Sequence, residues 1–515
     1  MFPQFHQEGF PPFIRFLLGL VGCYVGYILG RRYFLLAHHR VRFSAVNNCQ
    51  PVPRYPHKDP IFGLDLFFEN IRLIKHGGIL EGFRARYKKV RPQSAGPVYT
   101  FSQLALGRMI INTCEPVNVQ TILAKNFNDY ELSPLRKKAM EPIFGHGIFS
   151  TDGEEWESSR KLLKPCFEKK SIGDLIVHEL HVRKLIDRIP KDGVTVDLQE
   201  LFFELTMDSA TEFLFGESTN TLGSGNAAGK EFNDAFTYCL WKTGIQARVG
   251  KLGNILPDPK FTRDKAFIHE YISAYVKKAV SLAASSTAKP NPHHYIFLEH
   301  LAQAGHGEKK IQDELMNILL AGRDTTATLL SHMWYVLARR PDVFNKLRAE
   351  VRKYRNQVLT PELINEMKYL RWCLNETLRL WPVVPVNTRG AVIDTTLPLG
   401  GGEDGKSPVF VPKGTLVVYP VYVMHRRKDI FGEDADEFKP ERWKTLRPGW
   451  AYLPFNGGPR ICIGQQFALI EASYTTIKLL QEFKAIEARD DTKYCEGFTV
   501  TLSVKGGTLV SLTPA

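Results

Sequence analysis

The chain has 515 residues, 44% hydrophobic and 23% charged, with 67 Lys and Arg against 54 Asp and Glu for a net charge of +13. Such a balance excludes a disordered, collagenous or low-complexity chain. The eight cysteines, at positions 23, 49, 114, 166, 239, 373, 462 and 495, have neither CxxC nor paired spacing, which argues against a disulfide framework or a zinc finger and fits a reducing compartment. The positive excess points to an anionic partner. No zinc-finger, helix-turn-helix or RNA-binding signature accompanies it, so a membrane surface or an acidic protein is expected and nucleic acid is not.

Residues 10–29 are apolar apart from Arg15, and Arg31, Arg32, His38, His39, Arg40 and Arg42 follow. About 20 helical residues cover a hydrocarbon core of roughly 30 Å, so this stretch is predicted to span a bilayer once. The basic cluster on its C-terminal side places the rest of the chain in the cytoplasm. The rival readings are a cleaved signal peptide, disfavoured by the late basic cluster and the lack of an Ala-x-Ala site, and a helix lying in the interface. The predicted organisation is an anchor with a basic juxtamembrane segment over 1–50, a proline-rich hinge over 51–60, stiffened by Pro51, Pro53 and Pro56, and one domain over 61–515. Length alone would allow about three domains. No Pro/Gly/Ser linker divides the chain after residue 60, so one large core, mostly helical, is expected.

Residues Pro97–Phe101 and Arg108–Asn112 read as two strands joined by a short turn, followed by a helix from Glu115. Residues 126–150, with Pro134, Pro142, Gly145 and Gly147, read as a long irregular stretch. Asp152 opens a basic helix on which Trp156 and Arg160 share a face, with Lys161 and Lys164 beside them. Residues 196–217 read as an amphipathic core helix, 218–230 as a flexible surface loop, and Arg248 to Lys278 as a basic, partly apolar stretch.

The predicted helix from Lys310 to Arg340 carries Ala321-Gly322-Arg323-Asp324-Thr325-Thr326. Glycine and polar residues midway along a helix cost stability. Thr325 can bond back to a carbonyl one turn earlier, leaving a small polar notch in an apolar wall. Glu376 and Arg379 form an i,i+3 ion pair on the next helix, and Arg442 follows 63 residues after Arg379. Asn375-Glu376-Thr377 spells a glycosylation sequon that is read as unused. Val383, Val384 and Val386 lead into a strand ending in Arg389. Arg31, His425 and Arg426 are read as solvated or capping residues.

The most informative stretch is Phe455-Asn456-Gly457-Gly458-Pro459-Arg460-Ile461-Cys462-Ile463-Gly464. A cysteine in a glycine-rich turn at the start of a helix has its thiolate stabilised by backbone N–H groups, which suits a metal ligand. Gly458 and Gly464 would let the backbone approach a flat ligand. Phe455-x-x-Gly458-x-Arg460-x-Cys462-x-Gly464 resembles the haem-binding signature of the cytochrome P-450 superfamily. The resemblance extends from about residue 50 to the end and implies a mainly α fold with small β-sheets (α+β). In that family the cysteine is the axial ligand of haem b, so Cys462 takes that role here. The same resemblance makes Trp156, Arg160, Arg389, Phe455, Arg460 and Gly464 haem contacts. It makes Asp324 and Thr325 the pair that organises water and delivers protons, and Glu376, Arg379 and Arg442 a buried structural network. Ala321, Val383, Val384 and Val386 would face substrate.

Three further stretches, 395–408, 454–460 and 208–216, look like those of the fungal n-alkane and fatty-acid terminal hydroxylases. The resemblance therefore implies a monooxygenase of the endoplasmic reticulum membrane acting on a hydrophobic small molecule. Electrons would come from NADPH through a separate cytochrome P-450 reductase, with cytochrome b5 as a second partner. Arg160, Lys161, Lys164, Lys169 and Lys170 would form the docking surface. Oxidation of a polyketide or terpenoid in fungal secondary metabolism is the alternative substrate class. A haem-thiolate isomerase or dehydratase would not need Asp324 and Thr325. A haem sensor would need no reductase surface.

Overall fold

The computed structural model describes residues 24, 27, 31, 37–90, 97–168, 175–223, 226–249, 257–284 and 296–515. Helices dominate, and the strands among the described residues form four small sheets. The expected span over 10–29 lies outside the described residues except at Tyr24 and Tyr27. Among the described residues no helix is long and apolar enough to cross a membrane.

The central helix, Glu308–Leu337, runs through the middle of the helical layer. From Asp313 to Ala338 every residue is buried except Ala321, Gly322 and Thr325. Its main partner is helix Leu198–Phe215, whose N-terminus is capped by the Asp197 carboxylate accepting from Gln199 N at 2.9 Å. This partner is not the amphipathic helix predicted, since buried residues lie all round it. A helix enclosed by other helices needs no polar face.

The largest sheet has five strands in the spatial order Thr100–Ala105, Arg108–Thr113, Leu416–Tyr419, Asn387–Ala391 and Tyr130–Glu131. The first two pair antiparallel through Leu106 and Gly107, with φ of 50° and 75°. A two-residue turn with both φ positive matches the strand twist. Arg389 lies on the Asn387–Ala391 strand, so this sheet carries one wall of the site.

Several expectations are corrected. Residues 126–150 are mostly ordered helix: Ser133 Oγ accepts from Arg136 N at 3.3 Å, Pro134 occupies the first turn, and the helix runs to Phe144. Residues 218–223 and 226–230 are not a loose loop, and 224–225 lie outside the described residues. Buried Asp208 accepts from the backbone N–H of Thr221 (2.6 Å) and Leu222 (3.0 Å) and from the hydroxyls of Thr219 and Thr221, and a helix begins at Ala227. Of the Arg248–Lys278 stretch, 250–256 lie outside the described residues, and the rest falls largely in helices Ala227–Val249 and Pro259–Ala284. His425 and Arg426 are buried, not solvated, whereas Arg31 is exposed. In the sequon, Thr377 is fully buried, so the site is closed to modification.

One buried acid lies behind the central helix. Glu471, on helix Gln465–Glu482, is 2% exposed, with Ser209 and Thr326 beside it and His178 Nδ1 3.9 Å from its Oε1. Burial pushes its carboxyl up to about 7, and the two hydroxyls draw it back only in part. A folded-state value above the ordinary 4.5 means the neutral form stabilises the fold fully below pH 4.5. That contribution is lost as pH rises through about 7, a change on the order of 3 kcal/mol. Urea unfolding at pH 5 and pH 8 is expected to show this loss in the wild type and to lack it in Glu471→Gln.

Candidate haem-thiolate site

The cysteine loop is closed by Cys462 N donating to Phe455 O at 3.0 Å. Asn456 and Gly458 have φ of 62° and 67°. A Cβ on Gly458 would stand 1.8 Å from Leu123 O, so protein packing by itself requires the glycine. Gly464 caps helix Gln465–Glu482, and a Cβ there would meet only Phe167, at an ordinary 3.5 Å. The Cys462 side chain is exposed to a water-sized sphere, yet enough protein surrounds it that burial raises its thiol. Hydrogen bonding from the Gly464 backbone and the Arg160 charge act in the opposite direction.

Arg160 serves this loop directly. Its Nη1 donates to Ile461 O at 2.9 Å, and its guanidinium lies 5.9 Å from the Trp156 ring. Trp156 is buried, packs on Phe127, and carries the Arg460 guanidinium 4.4 Å from its ring centre. Of the proposed reductase surface, Lys161 and Lys164 are exposed, while Lys169 and Lys170 lie outside the described residues.

A second group of cations converges nearby. Arg460 Nη2 donates to Thr151 O at 2.9 Å and pairs with Asp152 Oδ1 at 2.5 Å. Arg389, 3% exposed, donates to Thr388 O. Arg136, on helix Pro134–Phe144, completes the group. Burial, together with repulsion from Arg389, lowers Arg136 to about 10. Arg460 is also lowered to about 10 by burial, with Asp152 opposing and Arg389 and Arg136 adding to the fall. Arg136 and Arg460 both draw on the Asp152 carboxylate, and Lys137 takes part of it, at 2.6 Å from Asp152 Oδ2. Arg136 was not singled out in the sequence, because its segment read as irregular. The Ser133-Pro134 pair was the available sign that a helix begins there.

The polar notch sits on the central helix. Thr325 Oγ1 donates to Ala321 O at 2.6 Å, and half-exposed Ala321, Gly322 and Thr325 share one face. Asp324 is buried on an adjoining face. Burial raises its carboxyl, opposed by Arg323 and the Thr501 hydroxyl. Of the three valines expected to face substrate, Val384 and Val386 are accessible. Val383 packs in the hydrophobic core, and its carbonyl accepts from Leu502 N at 3.0 Å.

Glu376 and Arg379 are fully buried in a bidentate pair, Arg379 Nε and Nη2 each 2.8 Å from a carboxylate oxygen. Arg442 Nε donates to Glu376 Oε1 at 2.8 Å, and Trp443 Nε1 donates to Oε2 at 3.0 Å. His425 links this network to the cysteine loop. Its Nε2 accepts from Leu453 N at 2.9 Å, so its Nδ1–H donates to Arg379 O at 3.1 Å, which fixes the neutral tautomer. Burial first, and then Arg379, lower it to about 3.

Helices over small sheets, a thiol loop and a threonine notch are thus all on one chain. The cytochrome P450 family model matches residues 56–507. The chain belongs to the cytochrome P450 family. It is 44% identical over 488 residues to cytochrome P450 monooxygenase himC of Aspergillus japonicus, covering 93% of this chain and 87% of the relative. Cytochrome P450 52A13 of Debaryomyces hansenii is 40% identical over 505 residues, covering 93% and 95%. Among solved structures, the cytochrome P450DA haem domain superposes with a TM-score of 0.72 at 20% identity, covering 91% of this chain and 97% of that one, a likeness of fold. The protein is therefore a P450 monooxygenase.

The family implies haem, and this P450's residues fit it. Cys462 offers a single sulfur, which suits a metal that brings its other ligands with it, as an iron porphyrin does. The cation surplus around Arg136, Arg389 and Arg460 suits the two carboxylates of iron protoporphyrin IX. A prediction of opposite signs follows. Arg389→Gln relieves repulsion and stabilises the haem-free protein in thermal unfolding. The same change speeds loss of haem to apomyoglobin from the loaded protein.

Proposed function

We propose that this P450 is a membrane-bound hydroxylase of long aliphatic chains, acting on terminal carbons of fatty acids or alkanes with O₂ and electrons from NADPH. The observation that carries the reading is a cysteine whose thiol burial raises while the Gly464 backbone and the Arg160 charge favour its thiolate, combined with a threonine notch in an otherwise buried helix. Haem b, when bound, supplies O₂ activation, placing one oxygen atom in a C–H bond while the other leaves as water. Cys462 would hold it from one side, releasing its proton on ligation. Arg136, Arg389 and Arg460 would neutralise its carboxylates, and Trp156 and Phe455 would pack along it.

On the substrate side, Val384, Val386 and Ala321 would offer an apolar wall. Thr325 would hold a water by its hydroxyl, and Asp324, kept above the ordinary carboxylate range by burial, would hand it a proton. Glu376, Arg379 and Arg442 would keep the cysteine loop in place without touching substrate. A flavoprotein reductase would dock on the basic face that includes Lys161 and Lys164, with cytochrome b5 as a further donor. The apolar 10–29 segment would hold the chain in the endoplasmic reticulum membrane, with the 51–60 hinge and the single 61–515 domain facing the cytoplasm.

The aliphatic substrate class rests on the three stretches that resemble the fungal alkane and fatty-acid hydroxylases, and on the 52A13 relative. The higher identity to himC, whose name stands outside that series, supports a second reading, a polyketide or terpenoid substrate. Titrating the reconstituted enzyme with dodecanoic acid and hexadecane distinguishes the two. The first reading expects a low-to-high-spin shift and products oxidised at the chain end. Binding without turnover, or no shift, contradicts it. Asp324→Asn is expected to slow turnover by roughly 10²-fold while leaving the binding shift in place.

A further inference from the structure

Asp324 and Thr325 are neighbours in sequence, yet neither is turned toward the other. Asp324 Oδ1 accepts from Arg323 Nη1 at 2.6 Å, and Oδ2 accepts from Thr501 Oγ1 at 3.4 Å. The Thr325 hydroxyl donates to Ala321 O. Both carboxylate oxygens are therefore engaged away from the notch.

Consecutive residues on a helix do not naturally face each other. Arg323 meets Asp324 because its other donors are held from outside the helix. Its Nε and Nη2 donate to Asn233 Oδ1 at 3.2 and 2.9 Å, and Nη2 also donates to Thr237 Oγ1 at 2.7 Å. Both partners lie on helix Ala227–Val249. The rings of Phe203 and Phe236 lie 4.8 and 5.7 Å from the guanidinium carbon and close its flanks. Among the described residues, Arg323 is the charged group that bears on Asp324.

The second hold leads back to the same helix. A Cβ on Gly244 of that helix would stand 2.9 Å from the Thr499 carbonyl carbon, and Arg248 donates to Thr499 O. In the same turn, Leu502 N is bonded to Val383 O, next to accessible Val384. This turn is thus joined to helix Ala227–Val249 through Thr499, to Asp324 through Thr501, and to the backbone beside accessible Val384 through Leu502.

We propose that Arg323, anchored by Asn233 and Thr237, is a positioning residue that keeps the Asp324 carboxylate off Thr325 until an entering apolar substrate displaces helix Ala227–Val249. This rests on the reading of Asp324 as proton donor. Proton supply then depends on substrate being present, which suppresses futile consumption of NADPH. In the locked arrangement the acid stays paired with Arg323; once the helix moves, Asp324 loses part of that pairing and can turn to the Thr325 hydroxyl.

The test uses the full-length haem-loaded protein and needs no known substrate. The infrared carboxyl band that Asp324→Asn removes is titrated with pH in the wild type, in Thr237→Val and in Asn233→Leu/Thr237→Val. Thr237 is exposed, so the single variant loosens Arg323 without opening the core. The expected result is an upward shift of the band's midpoint by about one unit, tenfold in the proton equilibrium, together with a rise in substrate-free NADPH consumption. Arg323→Lys, which keeps the charge but not the fork, is expected to behave like the outer variants. A midpoint unchanged in Thr237→Val and in Arg323→Lys overturns the proposal. If the midpoint moves but Asp324→Asn leaves NADPH turnover untouched, the hold on Asp324 stands and the proton-donor reading fails instead.

Discussion

The site depends on the balance of charge at one sulfur. Burial alone would keep Cys462 a neutral thiol, and only the Gly464 backbone and the Arg160 guanidinium act against it. A metal bound there would convert that half-prepared thiol to a thiolate, because ligation removes the proton that burial retains. The surrounding chain supplies rigidity: Phe455 O pins Cys462 N, and Gly458 sits against Leu123 O where no side chain could fit.

That rigidity is anchored in a buried ionic network. A buried ion pair is weak evidence of net stability, since desolvation offsets much of its attraction. Its value here is geometric. Glu376 receives two donors from Arg379 and one each from Arg442, Trp443 and Lys439 N, and the His425 ring carries the hold on to Leu453, two residues before Phe455. The cation group beside the loop works oppositely. Arg389 and Arg136 repel Arg460, and Arg389 repels Arg136, with Asp152 opposing at Arg136 and Arg460, an arrangement that favours an anionic ligand over the bare protein.

Much of this was legible in the sequence where residue type and spacing act locally. The cysteine loop, the threonine notch and the Glu376–Arg379 pair each sit within ten residues, and short-range chemistry marks them. What depended on folding was less readable. Arg136 joins Arg389 and Arg460 from some 250 or more residues away, and no local pattern marks it as part of a site. His425 looked like a solvated or capping residue; it does cap helix Val421–Met424, but its burial was not legible because its side-chain partners, Arg379 O and Leu453 N, lie 46 and 28 residues distant. Val383 looked equivalent to Val384, yet its side chain packs in the hydrophobic core. Helix Leu198–Phe215 kept enough polar residues to look amphipathic, but Asp208, Thr206 and Thr211 spend them on buried hydrogen bonds. Arg323 was plainly visible in its motif, yet its partners Asn233 and Thr237 sit on a helix some 90 residues earlier.

The most direct measurement is the CO-difference spectrum of the dithionite-reduced, full-length protein beside Cys462→Ser. If Cys462 is the axial ligand, the wild type gives a Soret band at the thiolate-ligated position and the variant does not, although it remains folded. The same thiolate band in Cys462→Ser, or its absence from folded, haem-loaded wild type, would contradict the account.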